Sequence, residues 1–93
     1  MISTETKPRL AQKTRLHFDR HTNRHLLLYP EKGLVLNPTA TEIVKLCDGA
    51  RTVSEIVVDL AARYDAAPRD VLEKEVFGFL NTLREKGLLE DPP

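Results

Sequence analysis

From Arg9 to Leu36 the apolar residues come mainly in three short groups, whereas those in the rest of the chain recur at helical spacing. Polar stretches at 19–23 and 30–33 separate the three groups, which are Leu16 with Phe18, Leu26–Leu28 and Leu34–Leu36. Leu16 and Phe18 alternate with a polar residue, which is the period of a half-buried strand. Because connections this short make neighbouring strands antiparallel, the pattern predicts a three-stranded antiparallel meander.

The remainder of the chain predicts three helices. Each carries an apolar stripe at i, i+3, i+4 and i+7 spacing, and the stripes are Ala40, Ile43, Val44 and Cys47, then Val53, Ile56, Val57, Leu60, Ala61 and Tyr64, then Leu72, Val76, Phe79, Leu80 and Leu83. Thr39 with Glu42 and Thr52 with Glu55 have the spacing of a capping box, which predicts helix starts there. Proline at the first position and glycine after the last are typical of a helix from Pro68 to just before Gly87.

The fold class that follows is α+β, a winged-helix-like arrangement of a three-stranded antiparallel sheet followed by three helices. A sheet of this size needs a covering layer on one face, and the helical stripes supply it. A chain of 93 residues suits one domain. Residues 1–8 are polar and end in proline, which predicts a flexible tail, so the single domain is expected at 9–93.

Charge is balanced overall but not along the chain. There are 14 basic and 14 acidic residues, with six basic and two acidic through Pro30, and eight basic and twelve acidic after it. A net charge of zero does not favour nucleic acid or an anionic membrane as a partner. No signal peptide or membrane span is evident, and the lone Cys47 is expected to be a buried thiol, so we expect a cytoplasmic protein.

Three histidines recur every four residues, a spacing that would place them on one face of a helix. His17, His21 and His25 fall instead on a strand, in a turn and on the next strand, with no carboxylate in a clear ligand pattern. The sequence therefore predicts ordinary surface histidines and no metal site.

Catalytic chemistry is not expected. Glu31, Glu42 and Asp48 could be considered as an acid and base pair, but no nucleophile or phosphate-binding glycine-rich loop accompanies them. Capping and turn roles account for all three carboxylates. We therefore expect a protein that is not an enzyme and needs no cofactor.

A winged-helix nucleic-acid-binding domain is the alternative that this architecture raises. The third helix would then enter the major groove, where a basic excess is needed. Its charges are balanced instead, and they are Arg69, Lys74, Arg84 and Lys86 against Asp70, Glu73, Glu75 and Glu85. Binding of nucleic acid is therefore not expected.

A combined pattern across residues 8–90 resembles the PqqD family, the peptide chaperones of pyrroloquinoline quinone (PQQ) biosynthesis. The residues that carry the resemblance are Tyr29-Pro30-Glu31, Leu36-Asn37, Ala40, Glu42-Ile43, Cys47-Asp48-Gly49, Val53, Glu55-Ile56 and Leu60. One departure is Glu75-Val76, where many relatives have Asp-Val. Leader-recognition domains of other peptide-modifying pathways share much of the pattern, and such a domain remains an alternative.

The resemblance implies a non-catalytic function. Members bind the ribosomally made precursor peptide PqqA and present it to the radical SAM enzyme PqqE, which cross-links a Glu and a Tyr of that peptide. It also implies that the peptide adds a strand to the third strand and rests against the third helix. The peptide-binding residues expected on this basis are Leu34, Val35, Leu36, Phe79, Leu80 and Leu83.

The residues supply a physical reason for this mode of binding. Leu34–Leu36 would be an edge strand, and the unpaired backbone groups of an edge are a template for an added strand. The three residues of the third helix could line that groove or belong to the core, and the sequence leaves both roles open. An exposed edge permits either a monomer or a strand-swapped homodimer. The basic first half and the Pro30-Glu31 turn are candidates for contact with the enzyme.

Overall fold

A computed structural model of the chain describes residues 2–29, 32–64 and 67–90. The elements, in chain order, are β1 (Arg15–Asp19), β2 (Arg24–Tyr29), β3 (Lys32–Leu36), α1 (Pro38–Leu46), α2 (Val53–Arg63) and α3 (Arg69–Glu85). The strands form one antiparallel sheet in the order β1-β2-β3, so the predicted sheet followed by three helices is confirmed. The predicted turn at Pro30-Glu31, Met1 of the predicted tail and residues 91–93 of the predicted domain lie outside the described residues.

The sheet has two chemically different faces. Leu27 lies opposite Leu16 on β1 and Leu34 on β3, and this row faces the helices, with Leu27 fully buried. We call this the inner face. Because side chains alternate along a strand, Leu26 and Val35 lie on the other face, which we call the outer face.

The core lies between the inner face and the three helices. Its buried apolar side chains are Leu27, Leu36, Ala40, Ile43, Val44, Leu46, Cys47, Val53, Ile56, Val57, Leu60, Leu72, Val76, Leu80, Leu83 and Leu88. Burial, together with the charge of neighbouring Asp48, raises the pKa of the Cys47 thiol to about 12. The predicted buried thiol is therefore confirmed, and it is held in its protonated, unreactive form.

The start of α1 corrects one prediction. The helix is capped by Asn37, whose Oδ1 accepts from the Ala40 N–H at 2.7 Å, and not by a box of Thr39 and Glu42. Asn37 is favoured because Pro38 follows it and provides the helical φ of the first position. The second box is confirmed, since the Glu55 N–H donates to Thr52 Oγ1 at 3.1 Å and Glu55 Oε1 accepts from the Thr52 N–H at 2.9 Å.

The ends of α3 follow the expected chemistry with a shift of one residue. Pro68 is the N-cap and not the first helical residue. At the other end Gly87 has φ +73°, and the N–H groups of Gly87 and Leu88 donate to the carbonyls of Arg84 and Leu83 at 3.0 and 2.8 Å. This is a Schellman motif, and it turns the chain so that Leu88 is buried in the core.

A second extended region joins the two ends of the chain, and the sequence did not predict it. Residues 9–11 lie between residues 47–49 and residues 88–90, with bridges Arg9 to Asp48 and Leu10 to Leu89. We call these three segments the terminal clasp. Four backbone hydrogen bonds hold it, and they run from Leu10 N–H to Cys47 O, from Gly49 N–H to Pro8 O, from Ala11 N–H to Leu88 O and from Glu90 N–H to Arg9 O.

Part of the predicted flexible tail contacts the helical layer. The carbonyls of Thr6 and Thr4 accept from the Val53 and Ser54 N–H groups at 2.8 and 3.0 Å. Both amides belong to the first turn of α2, which has no partner for them within the helix. The flexibility of residues 1–8 stays a prediction.

None of the helices in the part of the chain that the structure describes has the length and apolar character needed to cross a bilayer.

Candidate functional site

The strand β3 lies at one edge of the sheet. It pairs with β2 along its whole length, from Tyr29 with Lys32 to His25 with Leu36, and no described strand lies on its other side. An edge of this kind exposes a row of backbone N–H and C=O groups that another chain can pair with. The predicted edge position of Leu34–Leu36 is therefore observed.

The register decides which backbone groups of β3 face outward. Tyr29 and Lys32 are paired and only two residues separate them in the sequence. The pair that flanks so short a connection exchanges both backbone hydrogen bonds. Since bonded and non-bonded pairs alternate, Leu34 and Leu36 bond to β2, whereas Gly33 and Val35 turn their N–H and C=O groups to the outer edge. The edge therefore offers two donors and two acceptors.

Side chains along β3 alternate in the same way. Leu34 is half-buried and Leu36 is only 5% exposed, and both lie on the inner face with the core. Val35 is 55% exposed and lies on the outer face. The three predicted residues therefore differ in what they expose. Val35 has both an outward backbone and an exposed side chain, whereas the side chains of Leu34 and Leu36 belong to the core side of the sheet. The outward backbone of Gly33 was not predicted, because it depends on the register, which the short connection between Tyr29 and Lys32 could have indicated.

The three predicted residues of α3 divide between core and surface. Leu80 and Leu83 have no exposed area and lie in the core, because the buried stripe of α3 runs through them. Phe79 is half-buried and packs at the rim of the same cluster, as Leu34 does. Of the three, Phe79 is the residue that a peptide could reach without a rearrangement of the core.

One flank of α3 beside Phe79 is open. At 100° per residue, Val71, Glu75, Gly78 and Thr82 lie on the same side of the buried stripe as Phe79, and all four are exposed. A Cβ added at Gly78 would meet no described atom within 4 Å. The glycine is therefore not needed for packing within the described chain, and it leaves the helix backbone accessible.

An open cavity of about 700 Å³ adjoins the carboxyl end of β3. Val35 and Leu36 line one side, and α1 lines the other through Thr41, Glu42 and Lys45. Its lining mixes apolar, amide and charged groups. It extends the edge toward α1, so a strand added to β3 would end beside it.

The carboxylates that might have formed an acid and base pair have structural roles. Asp48 Oδ1 accepts from the Ala50 N–H at 3.0 Å, and this hydrogen bond, with the charge of Arg51, lowers the pKa of Asp48. Glu42 forms ion pairs with Arg63 and Lys45. Glu31 lies outside the described residues.

The three histidines do not converge. His17 lies on the outer face of β1 and His21 in the following turn, whereas His25 packs its ring against Phe18 with centroids 4.9 Å apart. Among residues 2–29, 32–64 and 67–90, no group of three His, Cys, Asp or Glu side chains is placed to hold a metal ion.

The family is decided by a match to the family model for Coenzyme PQQ synthesis protein D (PqqD), which covers residues 24–89. The chain belongs to the PqqD family. The predicted resemblance is therefore confirmed. A relative from Rhodopseudomonas palustris (strain BisB5), named PqqA binding protein, is 38% identical over 90 residues, which is 97% of this chain and 87% of the relative.

Solved structures of PqqD-like proteins share the architecture. The solution NMR structure of the PqqD truncation of Methylobacterium extorquens PqqCD, described as a functional and stand-alone RiPP recognition element, matches with a TM-score of 0.84 at 37% identity over 98% of this chain and 96% of that one. A lasso peptide synthetase B1 complexed with its leader peptide matches with a TM-score of 0.76 at 20% identity, over 91% of this chain and 99% of that one. At that identity the likeness shows the fold alone.

Proposed function

We propose that this chain is a non-catalytic peptide chaperone that binds the precursor peptide PqqA as an added strand on β3 and presents it to the radical SAM enzyme PqqE. The observation that carries the proposal is the open outer edge of β3, with the backbone groups of Gly33 and Val35 turned outward. Relatives named PqqA binding protein and the structure described as a RiPP recognition element support it. The cytoplasm is the compartment that we propose for this step.

Backbone pairing alone is too weak for a stable complex. Two donors and two acceptors would form four hydrogen bonds, worth together about 2–6 kcal/mol at roughly 0.5–1.5 kcal/mol net each. Association costs about 4–15 kcal/mol before any ordering of the peptide. Side-chain burial must therefore supply the surplus.

Apolar anchors are available on both faces of the added strand. Leu34 on the inner face and Phe79 on α3 are both half-buried against the core cluster, and each could gain burial worth at most about 1.5–3 kcal/mol from a peptide side chain. On the outer face, Val35 is more than half exposed and gains burial beside the peptide. We therefore assign the peptide site to Gly33, Leu34, Val35 and Phe79, with Leu36, Leu80 and Leu83 supporting it from within the core.

The experiment that tests strand addition is the substitution Val35→Pro. Proline removes the outward N–H and leaves the pairing of β3 with β2 unchanged, since Val35 does not bond to β2. We expect the affinity for PqqA, measured by isothermal titration calorimetry, to fall about tenfold or more, as one charge-neutral hydrogen bond and its neighbours are lost. Val35→Ala keeps the N–H and separates the loss of the side chain from the loss of the donor.

A matched control exists at the opposite edge of the sheet. Since Leu26 and Leu28 of β2 bond to β1, the alternation turns the backbone of Phe18 to the outer edge of β1. Phe18→Pro therefore removes an outward N–H from an edge that the proposal does not use, and PqqA affinity should stay unchanged. Equal losses in folded Val35→Pro and Phe18→Pro, or no loss in either, would contradict the proposal.

A scan of PqqA with single N-methyl groups gives the same test from the peptide side. Only alternate residues of an added strand face β3, so methylation should weaken binding with a period of two residues. A helical peptide would show a period between three and four. Either a helical period or no period would rule out strand addition.

A further inference from the structure

The outer face of the sheet has an apolar centre that the fold of the described chain does not cover. Leu26 and Val35 are paired across β2 and β3, and Leu28 lies two residues further along the same face. Gly33 lies opposite Leu28, and an added Cβ there would stand 3.4 Å from Leu28 Cδ2. Without that side chain, Leu28 is 37% and Val35 is 55% exposed.

Two arginines flank this centre. Arg15 lies opposite Leu28 and His17 opposite Leu26, while Arg24 precedes Leu26 by two residues on β2. Both arginines are exposed, and among the described residues neither is within ion-pair distance of a carboxylate, although five such pairs form elsewhere. Among the described residues of this face, the acidic one is Asp19, which lies opposite Arg24 and whose Oδ1 accepts from the His21 N–H. An exposed apolar patch with a charged rim is typical of a protein–protein interface.

The position of Val35 connects this face to the peptide site. Its backbone turns to the outer edge of β3, and its side chain belongs to the apolar centre. Every second side chain of a strand added to β3 would also lie on the outer face, next to Val35. A protein docked on this face would therefore touch the bound peptide directly.

We propose that the outer face docks the enzyme that modifies the peptide, through an enzyme surface of apolar side chains ringed by carboxylates. The choice of this occupant rests on the proposed function, and the chemistry of its surface follows from Leu26, Leu28 and Val35 with Arg15 and Arg24 around them. The face then has two roles, since it binds the enzyme and brings it to the peptide.

The test is the affinity of the full chain for purified PqqE, measured by biolayer interferometry with Leu28→Glu and the matched control Val58→Glu. Val58 is an exposed valine on α2, at 50% exposure, away from the sheet. Leu28→Glu should weaken enzyme binding about tenfold or more, because it places a charge in the centre of the interface, and Val58→Glu should weaken it less than about twofold. Equal effects of the two variants would overturn the proposal.

The charged rim gives a second, independent readout. Enzyme affinity should fall as sodium chloride rises from about 0.05 to 0.5 M, because screening weakens pairs between the arginines and carboxylates. The double substitution Arg15→Glu with Arg24→Glu should weaken binding and flatten this salt dependence. A salt dependence equal to that of the unchanged protein would overturn the proposal.

Two further measurements separate this proposal from others. PqqA affinity should stay unchanged in Leu28→Glu, which also shows that the variant is folded. If Val35→Pro leaves PqqA binding intact while Leu28→Glu abolishes enzyme binding, strand addition fails and the docking face stands. If Leu28→Glu instead converts a dimer to a monomer in sedimentation experiments and leaves enzyme affinity unchanged, the face is a self-interface and the docking proposal is overturned.

Discussion

The strand β3 and residues 9–11 of the terminal clasp are both extended segments, but only residues 9–11 form hydrogen bonds on both sides. Residues 9–11 bond to residue 47 on one side and to residues 88–90 on the other. β3 bonds to β2 alone, and its other side is open within the described chain. The same backbone chemistry therefore serves closure of the fold in one place and is left available in the other.

The difference shows that extended segments of this chain can pair with one another while the outer edge of β3 is left open. The chain uses its own termini to close a segment of weak strand character, Arg9-Leu10-Ala11, and leaves the strongly apolar Leu34–Leu36 unpaired on one side. Exposed edges favour aggregation, and the added peptide strand proposed above would cover the edge of β3.

Proline placed in each segment gives the largest contrast. Ala11→Pro removes the N–H that donates to Leu88 O at 2.8 Å and should lower the free energy of unfolding by about 1–3 kcal/mol. Val35→Pro removes an outward N–H and should lower it by less than about 0.5 kcal/mol. Urea denaturation followed by circular dichroism measures both. Equal losses in the two variants would contradict the difference in hydrogen bonding between the two segments.

Two glycines with positive φ test how tightly the clasp is packed. Gly49 and Gly87 have φ of +81° and +73°, so alanine at either should lower the free energy of unfolding by about 1–2 kcal/mol. Only at Gly49 would the new Cβ also crowd the clasp, 3.2 Å from Arg9 Cδ, and Gly49→Ala should be the less stable of the two. Adding Arg9→Ala should remove that difference in thermal unfolding. A persistent difference would place the strain elsewhere than the clasp.

Gly78 tests the exposed flank of α3. Gly78→Ala should raise the free energy of unfolding by up to about 1 kcal/mol, because alanine favours the helix and the site is empty. If a bound peptide approaches the backbone there, the same substitution should lower PqqA affinity, as measured by calorimetry. Asn81→Ala, at an exposed position of α3, is the control and should leave affinity unchanged. A stabilised Gly78→Ala variant with full affinity would place the peptide away from this flank.

Acid should destabilise the turn beside the clasp, and we expect this effect to be smaller than those of the proline and glycine substitutions. Hydrogen bonds from backbone N–H groups, of Ala50 to Asp48 and of Thr52 to Glu55, lower the pKa of both carboxyls from ordinary values of 3.8 and 4.5. A lowered pKa in the folded state means that the ionised form stabilises the fold above the ordinary value, and that this stability is lost as pH falls below it.

Stability measured by urea denaturation should therefore decline below about pH 4.5, and Asp48→Asn should reduce the slope. Glu85→Gln, at an exposed position of α3, is the control. An unchanged slope in Asp48→Asn would show that the hydrogen bond to Ala50 does not stabilise the native turn.

Local patterns predicted every element, and non-local contacts account for what they missed. Alternation at Leu16 and Phe18 and the helical stripe through Leu80 and Leu83 depend only on neighbouring residues, and so do the ends at Asn37 and Gly87. Whether Leu80 and Leu83 face a groove or the core depends on where α2 packs, and no local pattern contains that information. The clasp joins residues almost 80 positions apart, so Arg9-Leu10-Ala11 carries no local sign of it.

The candidate site also divides into features that local patterns predict and features that depend on non-local pairing. An apolar edge strand is predictable from Leu34–Leu36, and the family pattern indicates its use. Which residues of that strand offer free backbone groups depends on a register set by its pairing with β2, and a shift of one residue would exchange the roles of Val35 and Leu34.

The antiparallel pairing of Leu10 with Leu89 also determines how the clasp would respond to a pulling force. Because the paired segments run in opposite directions, Arg9 and Glu90 lie beside each other at the same end of the pairing. Tension applied between Arg9 and Glu90 would therefore break the hydrogen bonds of this pairing one after another.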